Sequence, residues 1–439
     1  MNASDHRPRR VAITGLGIIS PVGNDPDSFW NALVAGRSGV SALDDLPPES
    51  YPVRFAGYVR DFQGKVGDFG QLDPKVKKAI QKGLKLMCRE TQMGVAAAQK
   101  ALADASWEIG TCEPERIGVS FGTGHMFTMP EDLSSGMRSC VGEAGEFVFD
   151  RWGEEAMRQI TPLWLLRYLP NMPACHIAIY NDMRGPNNSI TQGETAANMA
   201  IAEAAHVIAR GAADLMVAGA TGTRLHPLRT IHAVLQEQVA RDDDAPESAS
   251  RPFDRDRRGM VVGEGASALV LEEYESAVAR GATIYGEIIG AGSSCVAARN
   301  HVGGRRQALT NAMRAALRQS GIKPSEVGHI HTHGLSTRTS DADESQALLS
   351  IFDGSSRPIP IVAAKSHFGN LGAGSGAVEL AASLLAMKHE RLFPVLNYQT
   401  PDPECPVVVD ADAAAGDVCM NLSVVAQGQA SCLMVRRAG

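Results

Sequence analysis

A single carboxylate, Glu194, stands directly after a glycine at the start of the alanine-rich stretch SITQGETAANMAIAEAAHVIARG. This stretch predicts a short polar strand followed by a helix, with the acid in the first helical turn. The dipole and free amide N–H groups of a helix N-terminus favour an anion there by about 0.3–1 kcal/mol. Thr191 and Glu194 also fit the S/T-x-x-E spelling of a capping box, in which the acid only stabilises the helix end. Glu194 is therefore either a reaction position with an unusual occupant or a helix cap.

Alternating histidines occur in VGHIHTHG, where His331 and His333 end an apolar segment. Together with the acidic residues that follow, these histidines could suggest a metal-binding site. We nevertheless predict no metal site. A single histidine at the junction of strand and loop is a better candidate for acid–base chemistry or hydrogen bonding. The alternative is a buried histidine whose hydrogen bonds are satisfied.

Lys365 leads a glycine-dense loop, KSHFGNLGAGSG, that opens another helix rich in alanine and leucine. Such a loop lets a ligand approach the backbone closely, although tight helix packing would need the same residues. Gly15 and Gly17 follow a strand in the manner of a dinucleotide fingerprint. The third glycine of that fingerprint is replaced by Ser20, so no nucleotide cofactor is predicted.

The elements that position these residues form an α/β pattern that repeats. A buried strand runs from Arg9 to Ile19, a long amphipathic helix is predicted from Val76 to Ser106, and IYGEIIGAG later echoes VAITGLGII. The echo predicts two similar halves, 1–255 and 256–439, each with a sheet covered by helices. Residues 126–185 are rich in aromatic and leucine side chains, which indicates a lid or subunit contact, or else plain core.

The bulk composition excludes several classes of function. The 439 residues carry a formal net charge of −7, which gives no electrostatic basis for binding nucleic acid or an anionic membrane. No run of eighteen apolar residues is present, so no membrane span is predicted. Eight scattered cysteines without a signal peptide are typical of reduced thiols, and we expect a cytoplasmic protein.

Taken in order, these motifs resemble the β-ketoacyl–acyl carrier protein synthase family, closest to its elongating fatty acid and polyketide type. The resemblance covers nearly the whole chain through RRVAITGLGIISPVGND, RPFDRDRRGMVVGEGASALVLEEYESAVARGATIYGEIIGAG, HTHGLSTRTSDADE and KSHFGNLGAGSGAVE. It implies the thiolase fold, with two pseudo-duplicated α/β halves in five αβαβα layers, usually as a dimer. It also implies an acyltransferase with a Cys-His-His centre. No bound cofactor is expected, because phosphopantetheine arrives on the acyl carrier protein.

The resemblance places Glu194 on the position of the nucleophilic cysteine, His333 on the first histidine and Asn370 on the second. A carboxylate is a weak nucleophile whose acyl product would be a labile anhydride. Asparagine donates hydrogen bonds but does not shuttle protons at neutral pH. The centre reads Glu-His-Asn, which leaves enzymatic activity open.

The supporting positions are partly retained. Lys365 matches the loop lysine of the family, and the resemblance implies that Asp341 and Glu344 hold it. Leu335 replaces a threonine expected to contact pantetheine, while Thr337 remains.

The loop that gates the family's tunnel has lost its aromatic residues. In NLSVVAQGQASCLMV, Ser423 and Val425 stand where the resemblance places two gating phenylalanines.

Three functions remain open from the sequence. The first is a homologue without condensing activity, similar to chain length factors, that works in a heterodimer with an active ketosynthase. The second is an enzyme with altered acyl-thioester chemistry (decarboxylation, hydrolysis or acyl transfer) that uses Glu194, His333 and Asn370. The third is a homodimeric protein that binds acyl chains. The acyl chain length and the pathway are not fixed by the sequence.

Overall fold

The computed structural model describes residues 8–44, 51–241, 245–297, 302–355 and 358–438. The strands are β1 (Val11–Ile19), β2 (Val40–Ala42), β3 (Phe55–Gly57), β4 (Ile117–Thr123), β5 (Asn187–Thr191), β6 (Leu215–Thr223), β7 (Glu264–Glu273), β8 (Gly286–Cys295), β9 (His329–His331), β10 (Ile361–Val362), β11 (Val418–Val424) and β12 (Gln429–Arg436). The helices are α1 (Pro26–Val34), α2 (Pro74–Gly83), α3 (Arg89–Asp104), α4 (Pro130–Ser139), α5 (Met172–Tyr180), α6 (Ala196–Ala209), α7 (Pro227–Gln236), α8 (Tyr274–Ala279), α9 (Arg305–Ser320), α10 (Arg338–Phe352), α11 (Lys365–Phe368) and α12 (Ser375–Lys388).

Ten strands follow one another in the order β10-β9-β11-β12-β8-β1-β7-β6-β4-β5, and β2 pairs with β3 separately. The order is a mirrored repeat. In each half, three parallel strands lie at the outer end, and two antiparallel strands lie towards the middle. The halves meet between β1 and β8, where Ala12 pairs with Glu287 and Ile13 with Gly286. The predicted internal duplication is confirmed by this symmetry.

Helices α6 and α12 lie between the two halves, because both contact strands from each half as well as one another. Outside the first half, α3 packs on β1, β6 and β7 and also contacts α5. Outside the second half, α9 packs on β8, β11 and β12 and contacts α10. This arrangement is the thiolase fold, in five αβαβα layers.

The boundary between the halves lies later than the predicted division near residue 255. Strand β7 pairs with β1 along nearly its whole length and with β6 from Leu215 to Thr223, so it belongs to the first half. Strand β8 opens the second half beside β12. The predicted boundary is too early because the polar connection before residue 255 resembles a linker between domains. Strand β7, which follows this connection, completes the part of the sheet that belongs to the first half.

The helix predicted from Val76 to Ser106 is two helices. Helix α2 ends at Gly83, a 3₁₀ turn follows at Leu84–Leu86, and Met87 and Cys88 are extended before α3 begins. Helix α3 then lies close against β1. A Cβ atom on Gly17 would come within 1.9 Å of the carbonyl oxygen of Ala97, so glycine is required there.

Residues 126–185 combine α4, α5 and short turns, and they present several apolar side chains to the outside. The exposed fractions are 73% for Phe149, 63% for Leu163 and 70% for Ile179, so these side chains are not core. Among the described residues, the neighbouring strand β5 is the last strand of the sheet and pairs with β4 alone.

The eight cysteines are free in the structure. Within the described ranges, no helix is both long enough and apolar enough to cross a membrane.

Candidate active site

Glu194 lies where the edge of the first sheet passes into the central helical layer. Strand β5 ends at Thr191, a 3₁₀ turn spans Gly193–Thr195, and α6 continues from it. Gly193 has a φ of +56°, a conformation that glycine adopts without strain. The first residue of the turn is capped by Gln192 without a side-chain hydrogen bond, and the hydroxyl of Thr191 lies 3.3 Å from that of Thr123. The structure shows no capping box here, because Gln192 is the N-cap residue and the Glu194 carboxylate accepts from Arg224 and Asn370 instead.

The carboxylate of Glu194 is buried and faces two donors. Arg224 donates through Nη2 to Oε1 and forms an ion pair with it, and Asn370 donates through Nδ2 to the same oxygen at 3.0 Å. Burial alone would raise the pKa of Glu194, but the charge of Arg224 and these hydrogen bonds outweigh it and lower the pKa to about 2. Glu194 is therefore an anion throughout the physiological range.

Arg224 is the site residue that sequence reasoning missed. It follows β6 directly, and its backbone N–H donates to the carbonyl oxygen of Gly263 at 2.9 Å. Only 19% of its side chain is exposed, because it turns inward to Glu194. The signal in the sequence was an arginine directly after the long apolar strand, in the run TGTRLHP.

Asn370 has a fixed amide orientation. Its Oδ1 accepts from the N–H of Gly372 and the hydroxyl of Ser375, each at 3.0 Å, so Nδ2 is the group that points at Glu194. The side chain is a donor to the carboxylate, and no proton transfer through it is available at neutral pH.

His333 and Lys365 form a second, fully buried group. The ammonium of Lys365 lies 3.3 Å from Nδ1 of His333, donates to the His333 carbonyl oxygen at 2.8 Å, and pairs with Glu379. An ammonium has only donors, so Nδ1 accepts and the neutral ring carries its proton on Nε2. Burial and the charge of Lys365 hold the pKa of His333 well below its usual value. Neutral His333 is thus a hydrogen-bond donor rather than a general acid.

Asp341 and Glu344 do not hold Lys365, which corrects the expectation taken from the family resemblance. Glu344 accepts from the N–H groups of His333 at 2.7 Å and of Gly334 at 2.8 Å. Asp341 accepts from the N–H of Leu335 at 3.0 Å. Both acids project from α10 and fix the backbone that carries His333.

The lysine's real partner, Glu379, lies on α12. It is an acid inside an otherwise apolar and small-residue helix, which was the signal for its role.

Thr337 and Leu335 are both buried. The hydroxyl of Thr337 accepts from the N–H of Ser340 at 3.2 Å and caps α10. Leu335 packs in an apolar cluster that includes Met260 and Val262.

Ser423 and Val425 lie at the end of β11, close to the α6 turn. A Cβ atom on Gly193 would lie 3.2 Å from Cγ1 of Val425. Val425, which stands at the position of a gating phenylalanine, therefore lies beside the turn that carries Glu194. The hydroxyl of Ser423 is buried and has no hydrogen-bond partner within the described ranges.

The structure therefore brings Glu194, Asn370 and Val425 together and keeps His333 with Lys365 and Glu379 beside them. In the described part of the chain, no group of three histidine, cysteine or acidic side chains is placed to hold a metal. The site combines an anion locked between two donors with a neutral imidazole.

The N-terminal and C-terminal domain models of β-ketoacyl synthase match residues 8–277 and 285–399. The gap between them coincides with the boundary between β7 and β8. The 3-oxoacyl-[acyl-carrier-protein] synthase 2 of Synechocystis is 33% identical over 402 residues, which cover 90% of each chain.

Two solved structures share the fold over 98% of this chain and 100% of their own. One is a ketosynthase bound to a hexaketide, in complex with its type II polyketide acyl-carrier protein, with a TM-score of 0.81 and 28% identity. The other is the ishigamide ketosynthase/chain length factor, with a TM-score of 0.80 and 27% identity.

Proposed function

Because the chain belongs to the β-ketoacyl synthase family, we propose that it is a non-condensing member that pairs with an active ketosynthase and handles chains bound to acyl carrier protein. One observation carries this proposal: the carboxylate of Glu194 forms an ion pair with Arg224 and accepts a hydrogen bond from Asn370. The resemblance gives this position to the nucleophile. Likeness to a ketosynthase/chain length factor supports the same role.

An acylated Glu194 is chemically disfavoured in this setting. Formation of an anhydride would remove the negative charge and leave the cation of Arg224 buried without its partner, which costs several kcal/mol. The contacts that stabilise the anion and lower the pKa of Glu194 also make its carboxylate a poor nucleophile. The proposed subunit therefore shapes the chain's environment and leaves bond formation to its partner.

The proposed partner surface is the edge of the first half. Strand β5 has an unpaired outer edge, and exposed Phe149, Leu163 and Ile179 lie in the adjoining 126–185 region. An unpaired strand edge can pair with a strand of a second chain, and exposed apolar side chains are typical of an interface.

The proposed carrier surface is the α2 segment. Five exposed lysines lie on it and on the turn that follows, with no acid in its first turn: Lys75, Lys77, Lys78, Lys82 and Lys85. Such a surface fits an acidic carrier protein.

The test is purification of the tagged chain from its native host, followed by native mass spectrometry. We expect a 1:1 complex with a second β-ketoacyl synthase chain that carries a cysteine at the position matching Glu194. A homodimer as the only species would overturn the proposal.

A second candidate function is altered acyl-thioester chemistry such as decarboxylation. It is favoured by the intact group of Lys365, Glu379 and His333, whose Nε2–H can donate to a thioester carbonyl. Incubation of the chain alone with malonyl- and hexanoyl-loaded carrier protein separates the candidates. A product that disappears in Glu194→Ala supports this second function, whereas tight binding of the hexanoyl carrier without turnover supports an acyl-chain binding protein.

A further inference from the structure

A cavity lies behind the segment that carries Arg224, directly after β6. Its volume is about 310 Å³, and Thr223 and Leu225, the two neighbours of Arg224, line it. Because side chains alternate along an extended segment, Arg224 points to Glu194 while its neighbours face this cavity. The cavity is therefore adjacent to the candidate active site and separated from it by one segment of backbone.

One wall of the cavity is apolar and adaptable. Five side chains form it: Met87, Met126, Phe127, Met129 and Leu225. Methionine side chains adjust to irregular shapes and make favourable contacts with aromatic rings. This wall fits a flat, unsaturated group.

Two buried acids, Glu90 and Glu264, also line the cavity, and their hydrogen bonds differ. Glu264 accepts from Arg89 at 2.6 Å and from the hydroxyl of Thr223 at 3.2 Å, so its hydrogen-bonding capacity is used within the protein. Arg229 approaches the two oxygens of Glu90 only to 3.3 and 3.5 Å, and burial raises the pKa of this acid to about 7 although Arg229 and the backbone of Gly124 lower it. The remaining donors of Arg229 serve the carbonyl oxygens of Thr223 and His125.

His226, which also lines the cavity, supplies a donor without a hydrogen-bond partner in the described part of the chain. Its Nδ1 accepts from the N–H of Leu228 at 3.2 Å and caps α7, so the neutral ring carries its proton on Nε2. The residue is 6% exposed, and its Nε2 makes no hydrogen bond to any residue that the structure describes. A buried donor of this kind costs about 1–3 kcal/mol unless a ligand satisfies it.

We propose that this cavity binds a planar acyl group that carries a hydroxyl, such as a phenol or an enolised β-keto unit. The hydroxyl would donate to Glu90 and accept from Nε2–H of His226, while the methionine wall packs on the planar group. A saturated chain makes neither hydrogen bond and leaves both polar groups buried. The proposal rests on the proposed function only for the origin of the ligand, which would arrive on the carrier protein.

The test is calorimetric titration of the purified chain with three N-acetylcysteamine thioesters. The acyl groups are 3-(4-hydroxyphenyl)propionyl, 3-phenylpropionyl and octanoyl, and the first two differ by one hydroxyl. We expect the hydroxylated probe to bind at least about tenfold more tightly than the other two, since it gains two hydrogen bonds in a buried site, each worth about 0.5–1.5 kcal/mol. Equal affinity for all three probes, or no binding, would overturn the proposal.

Two variants locate the hydroxyl. Glu90→Gln keeps the side-chain shape and removes the ionisable carboxyl, whose pKa burial raises to about 7, and His226→Asn keeps an oxygen that can cap α7 while removing the imidazole Nε2–H. Each should reduce the tenfold preference for the hydroxylated probe, and the exposed Glu108→Gln should leave it intact. A preference that survives both variants, with the melting temperature unchanged, contradicts the proposed site. Because no partner chain or turnover enters this measurement, its outcome is independent of whether the chain forms a heterodimer.

Discussion

Arg224 forms an ion pair with the carboxylate of Glu194 at the N-terminal end of α6. The pair occupies the position at which the family resemblance implies a nucleophile. Asn370 stabilises the same anion by donating a hydrogen bond to it. Every one of these contacts favours the charged carboxylate. The substitution at 194 is thus accompanied by an arginine that neutralises it.

Removal of the arginine alone should be costly. In Arg224→Gln the carboxylate of Glu194 stays buried without its cation, which we expect to lower the free energy of unfolding by about 3–5 kcal/mol. The double variant Arg224→Gln with Glu194→Gln should recover a large part of this loss. Urea unfolding at pH 7 measures both. If the double variant is no more stable than Arg224→Gln, the two side chains are not coupled.

Acid should remove the contribution of Glu194. Its pKa is lowered from 4.5 to about 2 in the folded chain, so its stabilisation is fully present above pH 4.5 and is lost as the pH falls towards 2. The size of this contribution is about 3 kcal/mol. In urea unfolding between pH 7 and 3, the stability difference between wild type and Glu194→Gln should stay constant above pH 5 and shrink below pH 4.5. A constant difference down to pH 3 would contradict the low pKa.

Replacement of the acid by a thiol should create a reactive group. In Glu194→Cys the sulfur lies at a helix N-terminus beside Arg224, and both features lower a thiol pKa. Iodoacetamide at pH 7 should therefore label the introduced thiol faster than exposed Cys295, as followed by peptide mass mapping. Adding Arg224→Gln should slow the labelling. Labelling that is unaffected by Arg224→Gln would show that the arginine does not control this position.

The fold was predictable because its signals are local and repeated. The similarity between the apolar strand Val11–Ile19 and strand β8 predicted the two halves. The long motifs carried the resemblance to the family. The boundary at residue 255 failed because strand membership depends on pairing, and β7 joins β1 across more than two hundred residues of chain, as in the pair Val11 and Glu273. A linker-like composition carries no information about that partner.

The site was predictable at the positions that motifs mark and not at their partners. Glu194, His333, Asn370 and Lys365 lie together, as the motifs indicated. The partner of Lys365 is Glu379, whereas Asp341 and Glu344 fix backbone N–H groups instead. Which acid reaches an ammonium depends on how helices α10 and α12 project their side chains, and spacing along the chain does not give that direction.

The pair of Lys365 and Glu379 should behave as one buried unit. Lys365→Met leaves Glu379 without its cation and should destabilise the chain by about 3–5 kcal/mol, while Lys365→Met with Glu379→Leu should recover part of that loss. Thermal unfolding of the two variants and of Glu379→Leu completes a double-mutant cycle. The control is Glu344→Gln added to Lys365→Met, for which we expect no recovery. If Glu344→Gln recovers stability in Lys365→Met and Glu379→Leu does not, the partner of Lys365 is Glu344, as the family resemblance implies.

Charge reversal on α2 should weaken carrier binding in a salt-dependent way. Lys78, Lys82 and Lys85 are exposed, so their replacement by glutamate changes the surface charge by six units without disturbing packing. We expect binding of hexanoyl-loaded carrier protein, measured by surface plasmon resonance, to weaken by at least about tenfold at low ionic strength, and the difference to narrow as salt screens the surface. Arg314→Glu with Arg318→Glu, on the exposed face of α9, should leave the affinity nearly unchanged. Equal weakening by the α9 changes would mean that overall charge, and not the α2 surface, attracts the carrier.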